Sequence, residues 1–193
     1  MSGVRSIFGL FLLGLFLHFQ ALGQDITVYD LFQLKEGDVY WQESYKYSGP
    51  PEDLRPHLVQ MLKSKFFTFN VIRNESGYNG EIRHYQVDCK RYGRTYLNTP
   101  RMYWDGEWTG KFMVDVMENQ YKVTIYALYY EKTEQSTGGY YRNEKIVKGR
   151  YVDAVTKKKR SFRKNEFSNL TLMSQSLKDN FDYRNTVAPE ERK

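Results

Sequence analysis

The chain has 193 residues, 40% apolar and 17% aromatic, with 17 Tyr and 12 Phe, and a formal charge of +6. Its single cysteine, Cys89, excludes an internal disulfide, so a domain of this size must be held together by its core. After the N-terminal segment no apolar run reaches the ~18 residues of a membrane-spanning helix, which excludes such a helix from the rest of the chain.

Met1 to Gly23 combines a basic start at Arg5, an apolar run from Ile7 to Phe19 and small residues at Ala21 and Gly23. This is the layout of a cleavable secretory signal, with the cut expected between Gly23 and Gln24. The run holds about 13 residues, too short for a helix to cross the ~30 Å hydrocarbon core. The chain is therefore expected to be secreted or periplasmic. No cysteine lies near Gly23 to accept a lipid.

Gln24 to Leu34 is a short lead-in with some strand character, followed by a turn at Glu36-Gly37-Asp38. Val39 to Tyr47 is a predicted strand, since Val39, Trp41, Glu43, Tyr45 and Tyr47 share one face by the two-residue period. Ser48-Gly49-Pro50-Pro51 ends it, because proline supplies no ladder donor. Glu52 to Lys65 is a predicted helix with Leu54, Leu58, Met61 and Leu62 on one stripe. Glu52 and Asp53 in its first turn and Lys63 and Lys65 in its last suit the helix dipole.

Phe67 to Arg73, Glu81 to Cys89, Lys111 to Met117 and Tyr121 to Tyr130 are predicted strands, rich in aromatic and β-branched residues. Glu118-Asn119-Gln120 is short enough to join the last two as a hairpin. Thr133 to Gly139 is expected as a polar loop, then strands over Tyr140 to Val147 and Arg150 to Val155. Phe167 to Phe181 is a predicted closing helix, with Leu170, Met173, Leu177 and Phe181 on its stripe. Tyr183 to Lys193 is expected as a polar tail.

Within this order, Gly37-Asp38-Val39-Tyr40-Trp41 leads into a strand ending Tyr47-Ser48-Gly49, and a helix opens on Glu52-Asp53-Leu54. Trp108-Thr109-Gly110-Lys111-Phe112 then precedes Tyr121-Lys122-Val123-Thr124-Ile125. The pattern, over roughly residues 34 to 181, resembles a domain of unknown function with a TATA-box-binding-protein-like (TBP-like) fold, found in exported proteins of Gram-negative bacteria. The resemblance implies an α+β domain: a curved antiparallel sheet with an N-terminal and a C-terminal helix packed on one face. It implies no activity and no DNA binding, since fold does not carry function with it. The expected organisation is a signal over 1–23, one domain over 24–182 and a polar tail over 183–193.

Chemistry is sparse. His57 and His84 belong to no metal-ligand spacing, and no phosphate-cradling glycine loop occurs, so neither metal nor cofactor is expected. Ser136 and Ser161 lack the nucleophile-elbow pattern. His84 and Cys89 stand five apart, which on one strand puts them on opposite faces. Cys89 is expected as a buried, inert thiol, with an intermolecular disulfide as the alternative. The unusual local composition is Tyr103-Trp104-Asp105-Gly106-Glu107-Trp108. Tyr103, Trp104 and Trp108 could stack on sugar rings around a turn; more often such rings plug the core. Exposure separates the two readings.

Lys157, Lys158, Lys159 and Arg160, with Arg163 and Lys164, concentrate the positive charge. Such a run is more often a solvated turn than an anion-binding patch. The expected role is thus non-enzymatic binding or structural work in the periplasm or cell envelope, with an envelope protein or a glycan as partner. No nucleic-acid partner is expected of an exported chain, and its oligomeric state stays open.

Overall fold

The computed structural model describes residues 26–136 and 143–185. The expected signal, the Gly138-Gly139 pair and the chain after Asn185 lie outside the described residues. The elements in chain order are β1 (Val28–Tyr29), β2 (Phe32–Lys35), β3 (Asp38–Lys46), α1 (Pro51–Ser64), β4 (Thr68–Arg73) and β5 (Gly77–Tyr85). Then come α2 (Arg101–Trp104), β6 (Glu107–Met117), β7 (Gln120–Ser136), β8 (Asn143–Arg150) and α3 (Tyr151–Val155). The short β9 (Thr156–Lys157) and β10 (Ser161–Phe162) form a hairpin before α4 (Phe167–Phe181).

The fold is α+β. The antiparallel sheet runs β1-β2-β3-β7-β6-β5-β4, with β8 paired to β7. β3 takes Gln120 to Ile125 of β7 and β8 takes Tyr129 to Ser136, so the two share one edge of this long strand. Turns confirm the sequence logic at Glu118-Asn119, where Met117 faces Gln120 and Asn119 accepts a φ of 56°.

One face of the sheet is covered. Leu54, Leu58, Met61 and Leu62 of α1, and Leu170, Met173, Leu177 and Phe181 of α4, are buried against it. They meet Val39, Trp41 and Tyr45 of β3, Trp108, Phe112 and Val114 of β6 and Tyr121, Val123 and Ile125 of β7. Each such side chain contributes roughly 1.5–3 kcal/mol through burial. Glu43, the one polar member of the β3 stripe, is half-buried and lies 3.6 Å from Lys178 Nζ on α4.

The tyrosine-rich core is possible because α4 accepts its hydroxyls. Tyr45 donates to the Lys178 carbonyl (3.0 Å) and Tyr121 to that of Phe181 (2.7 Å). Tyr85 shares a 2.5 Å hydrogen bond with Ser176 Oγ, and Trp41 Nε1 donates to Ser174 Oγ (3.2 Å). The rings supply apolar area while their polar ends stay satisfied.

Several local expectations need correction. Tyr151 to Val155 is a helical turn rather than a strand, because only that geometry brings Tyr151, Val152 and Val155 together into the core. β7 continues through Thr133 to Ser136, where a polar loop was expected, since β8 supplies ladder partners there. β5 ends at Tyr85, leaving Cys89 in an irregular segment. The expected tail starts with an ordered 3-10 turn at Tyr183–Asn185, whose Tyr183 N–H donates to Tyr121 Oη (2.9 Å).

Candidate functional site

The helix-free face of the sheet is irregular at one level. β4 places Asn70 and Val71 opposite Gly80, β5 places Arg83 and His84 opposite Thr109, and β7 places Ala127 and Leu128 opposite Gly110. Each of these bulges contains a non-glycine residue in the left-handed region: Asn70 (φ 51°), His84 (φ 54°) and Ala127 (φ 51°). A bulge bends its strand, sharpens the local twist and re-aims side chains. Such conformations cost free energy wherever a Cβ is present, and they tend to collect at functional sites.

The opposing glycines are a steric requirement. A Cβ on Gly80 would stand 2.7 Å from the Phe112 ring and 2.8 Å from the Phe69 carbonyl oxygen. One on Gly110 would stand 2.9 Å from Leu128 Cδ2. Isolated glycines inside strands are the sequence signal that marks these bulges.

The bulges of β5 and β7 flank β6 and open a depression of about 480 Å³, lined by Glu81, Arg83, His84, Thr109, Lys111 and Tyr129, with Gly110 and Ala127 among its small members. Arg83 Nε donates to Glu81 Oε2 at 2.9 Å, and its guanidinium lies 5.4 Å from the Phe69 ring centre. Those Arg83 hydrogen bonds hold the Glu81 carboxyl below its ordinary range. His84 Nδ1 lies 2.7 Å from Glu107 Oε2, and Gln86 Nε2 reaches the other carboxylate oxygen at 3.4 Å. Tyr129 and Phe69 are exposed beside them. The arrangement offers cations, carboxylates and ring faces on a largely pre-ordered surface. Of the lining side chains only His84 stands out in the sequence, as a metal ligand or a partner of Cys89, and its spacing supports neither role; the others do not stand out, because strand residues without a motif carry no chemical spacing.

The aromatic turn is placed differently from its glycan-binding reading. Tyr103 and Trp108 are fully buried, with ring centres 5.4 Å apart, and both pack against Tyr151. Tyr103 donates its hydroxyl to Tyr151 Oη at 3.3 Å. Trp104 is half-buried against Tyr96. No sugar can stack on rings without exposure, so Tyr103 and Trp108 plug the core where α2 and α3 meet the sheet, and Trp104 packs partly against it. Asp105 caps the short helix, and Glu107 instead holds His84, which lines the depression.

Cys89 and His84 are kept apart by burial rather than by strand alternation. The thiol is buried, donates to the Tyr103 carbonyl at 3.3 Å and is pushed up in pKa by desolvation; His84 is exposed on the open face. Among the described residues, no three His, Cys, Asp or Glu side chains converge as a metal site, and no helix is long and apolar enough to cross a membrane.

The basic run forms the β9–β10 hairpin. Lys157, Lys158, Lys159 and Arg160 are all exposed. Arg163 Nε instead donates to the Thr156 carbonyl (2.8 Å) and ties down the hairpin base.

No protein-family model matches this chain, and no protein of curated description matches it. Among solved structures, it is similar to a TBP-like protein from Parabacteroides distasonis, at 14% identity and a TM-score of 0.46 over 82% of this chain and all of that one. It is also similar to a DUF4468 family protein from Bacteroides ovatus, at 11% identity and a TM-score of 0.43 over 86% of this chain and 96% of the other. These neighbours are of the class that the residues resemble, and the likeness is one of fold.

Proposed function

We propose that the chain is an exported, non-catalytic binding domain of the periplasm or cell envelope, whose partner is held on the helix-free sheet face at the bulged depression. The observation that carries this reading is the trio of left-handed, non-glycine bulge residues beside a depression that gathers Glu81, Arg83, His84, Lys111 and the exposed Tyr129. Export is supported by the layout of residues 1–23 alone. The non-catalytic reading is supported by the wide opening of the depression, which does not exclude water as a catalytic cleft does.

The test compares residues 24–193 with an Arg83→Ala, Tyr129→Ala double variant of confirmed fold, against envelope extract and a glycan array in parallel. Loss of a bound protein or sugar in the double variant is the expected result. Full retention would move the binding surface elsewhere. For export, the N-terminus of the protein recovered outside the cytoplasm should be Gln24; recovery only of intact chain from the cytoplasm contradicts it.

A further inference from the structure

The hairpin that follows α3 combines strain and charge in a way that fold stability does not require. Its turn closes with Arg160 N–H donating to the Lys157 carbonyl at 3.1 Å. Both central residues, Lys158 (φ 52°) and Lys159 (φ 57°), occupy the left-handed region, as in a type I′ turn. Asn-Gly or Gly-Gly suits that turn because glycine carries no Cβ penalty. Here two adjacent lysines hold it, with Lys157 and Arg160 on either side, so four cations repel one another at one tip.

The root of the hairpin is fixed. Phe162 and Thr156 are buried, Phe162 N–H donates to the Ile26 carbonyl (2.7 Å) and Arg163 N–H to that of Val155 (2.9 Å). Thr156 Oγ1 donates to the Val152 carbonyl (2.6 Å). The tip is therefore presented on a rigid base, which lowers the ordering cost of binding. Of the four cations only Lys159 has an acidic neighbour among the described residues, Asp153 at 3.5 Å. Lys157, Lys158 and Arg160 point their charge at solvent.

Beside the tip lies a shallow depression of about 250 Å³, lined by Asp153, Thr156, Lys158, Lys159 and Arg163. Its chemistry is two-sided: lysines that take a carboxylate, and an aspartate that accepts hydroxyl hydrogen bonds. A uronic-acid ring carries both groups. A flat anionic bilayer would meet the cations alone, leaving Asp153 and the depression unused, and would gain nothing from inserted apolar side chains. The hairpin has none, because its one large apolar residue, Phe162, faces the core. We infer that the Lys157–Arg160 tip and the depression beside it bind an acidic polysaccharide, one anionic sugar at a time along a repeating chain. This surface is separate from the bulged face and rests on export, not on the partner of that face.

The probe is alginate, a polyuronate, with neutral dextran and phosphatidylglycerol vesicles as comparison arms. Residues 24–193 should bind alginate and not dextran, with an affinity that falls steeply between ~50 and ~200 mM salt because bound cations displace counterions. Changing Lys157, Lys158, Lys159 and Arg160 to Gln should lower the affinity by at least ~tenfold and flatten the salt slope. Changing the exposed Lys46, Lys63, Arg73 and Lys90 to Gln removes the same net charge from elsewhere and should leave binding nearly intact. Equal losses in the two variants, binding to vesicles alone, salt-insensitive binding or no alginate binding would each overturn the inference. Failure here leaves the bulged-face reading untouched, since none of these residues lines that depression.

Discussion

The two faces of the central sheet come from the same strands in alternating register, yet they obey different rules. On the covered face, Trp41, Tyr45, Trp108, Phe112 and Tyr121 are buried; α4 accepts the Trp41 indole N–H and the Tyr45 and Tyr121 hydroxyls, while the buried Trp108 Nε1 has no partner among the described residues. On the open face, Glu81 pairs with Arg83 and His84 with Glu107 in solvent, where screening leaves such contacts little part in stability. The covered face holds the fold together. The open face instead carries backbone strain at Asn70, His84 and Ala127 that the covered face must offset. On the proposed reading, stability and recognition are divided between two sides of one layer.

The largest effect that could break this division comes from the core. Trp108→Ala should destabilise the domain by about 3–5 kcal/mol, because a fully buried indole leaves a cavity. Tyr129→Ala on the open face should shift stability by no more than ~0.5 kcal/mol. Comparable urea midpoints for the two variants would erase the distinction. An intermediate effect is expected at Gly80→Ala, where the new methyl meets the Phe112 ring and the Phe69 carbonyl oxygen; overpacking there should cost ~1–3 kcal/mol. A midpoint equal to wild type would mean that the glycine is not sterically required.

Smaller and opposite in sign is Ala127→Gly. Removing a Cβ from a residue at φ 51° should raise stability by a few tenths to ~1 kcal/mol, after the greater unfolded-state freedom of glycine is subtracted. A clear loss of stability would show that no strain is stored at that bulge. pH sharpens the comparison from the covered side. Burial pushes the phenols of Tyr45, Tyr85, Tyr103, Tyr121 and Tyr151 upward. A group whose folded pKa lies above its unfolded value, about 10 for tyrosine, stabilises the fold fully below that pH and less as pH rises beyond it. Phenolate absorbance of these core residues should therefore appear together with loss of secondary structure above pH ~10. Ionisation of all tyrosines in a still-folded protein would contradict their burial.

The covered face was largely legible in the sequence. The α4 stripe fixed its span from Phe167 to Phe181, and α1 starts only one residue early because Pro51 fits the first helical position. The β3 alternation marked Val39, Trp41 and Tyr45 correctly as a shared face. The open face was not legible. A bulge depends on one extra residue per strand, and Asn70, His84 and Ala127 give no left-handed signal of the kind that glycine gives. Gly80 and Gly110 were the available clue. Tyr103 and Trp108 read mainly as core plugs and are such, but the sugar-stacking alternative stayed open because aromatic residues near a turn look alike whether they face a ligand or the core. The basic hairpin was visible as a charge run, but its strained turn was not.

The most direct test of the central claim is chemical-shift mapping of residues 24–193 with the protein or glycan partner recovered from the envelope. The expected result is that shifts concentrate at Arg83, His84, Thr109, Lys111, Ala127 and Tyr129 while α1 and α4 stay unmoved. Shifts confined to the exposed sides of α1 and α4, with the bulged strands unchanged, would contradict the assignment of recognition to the helix-free face.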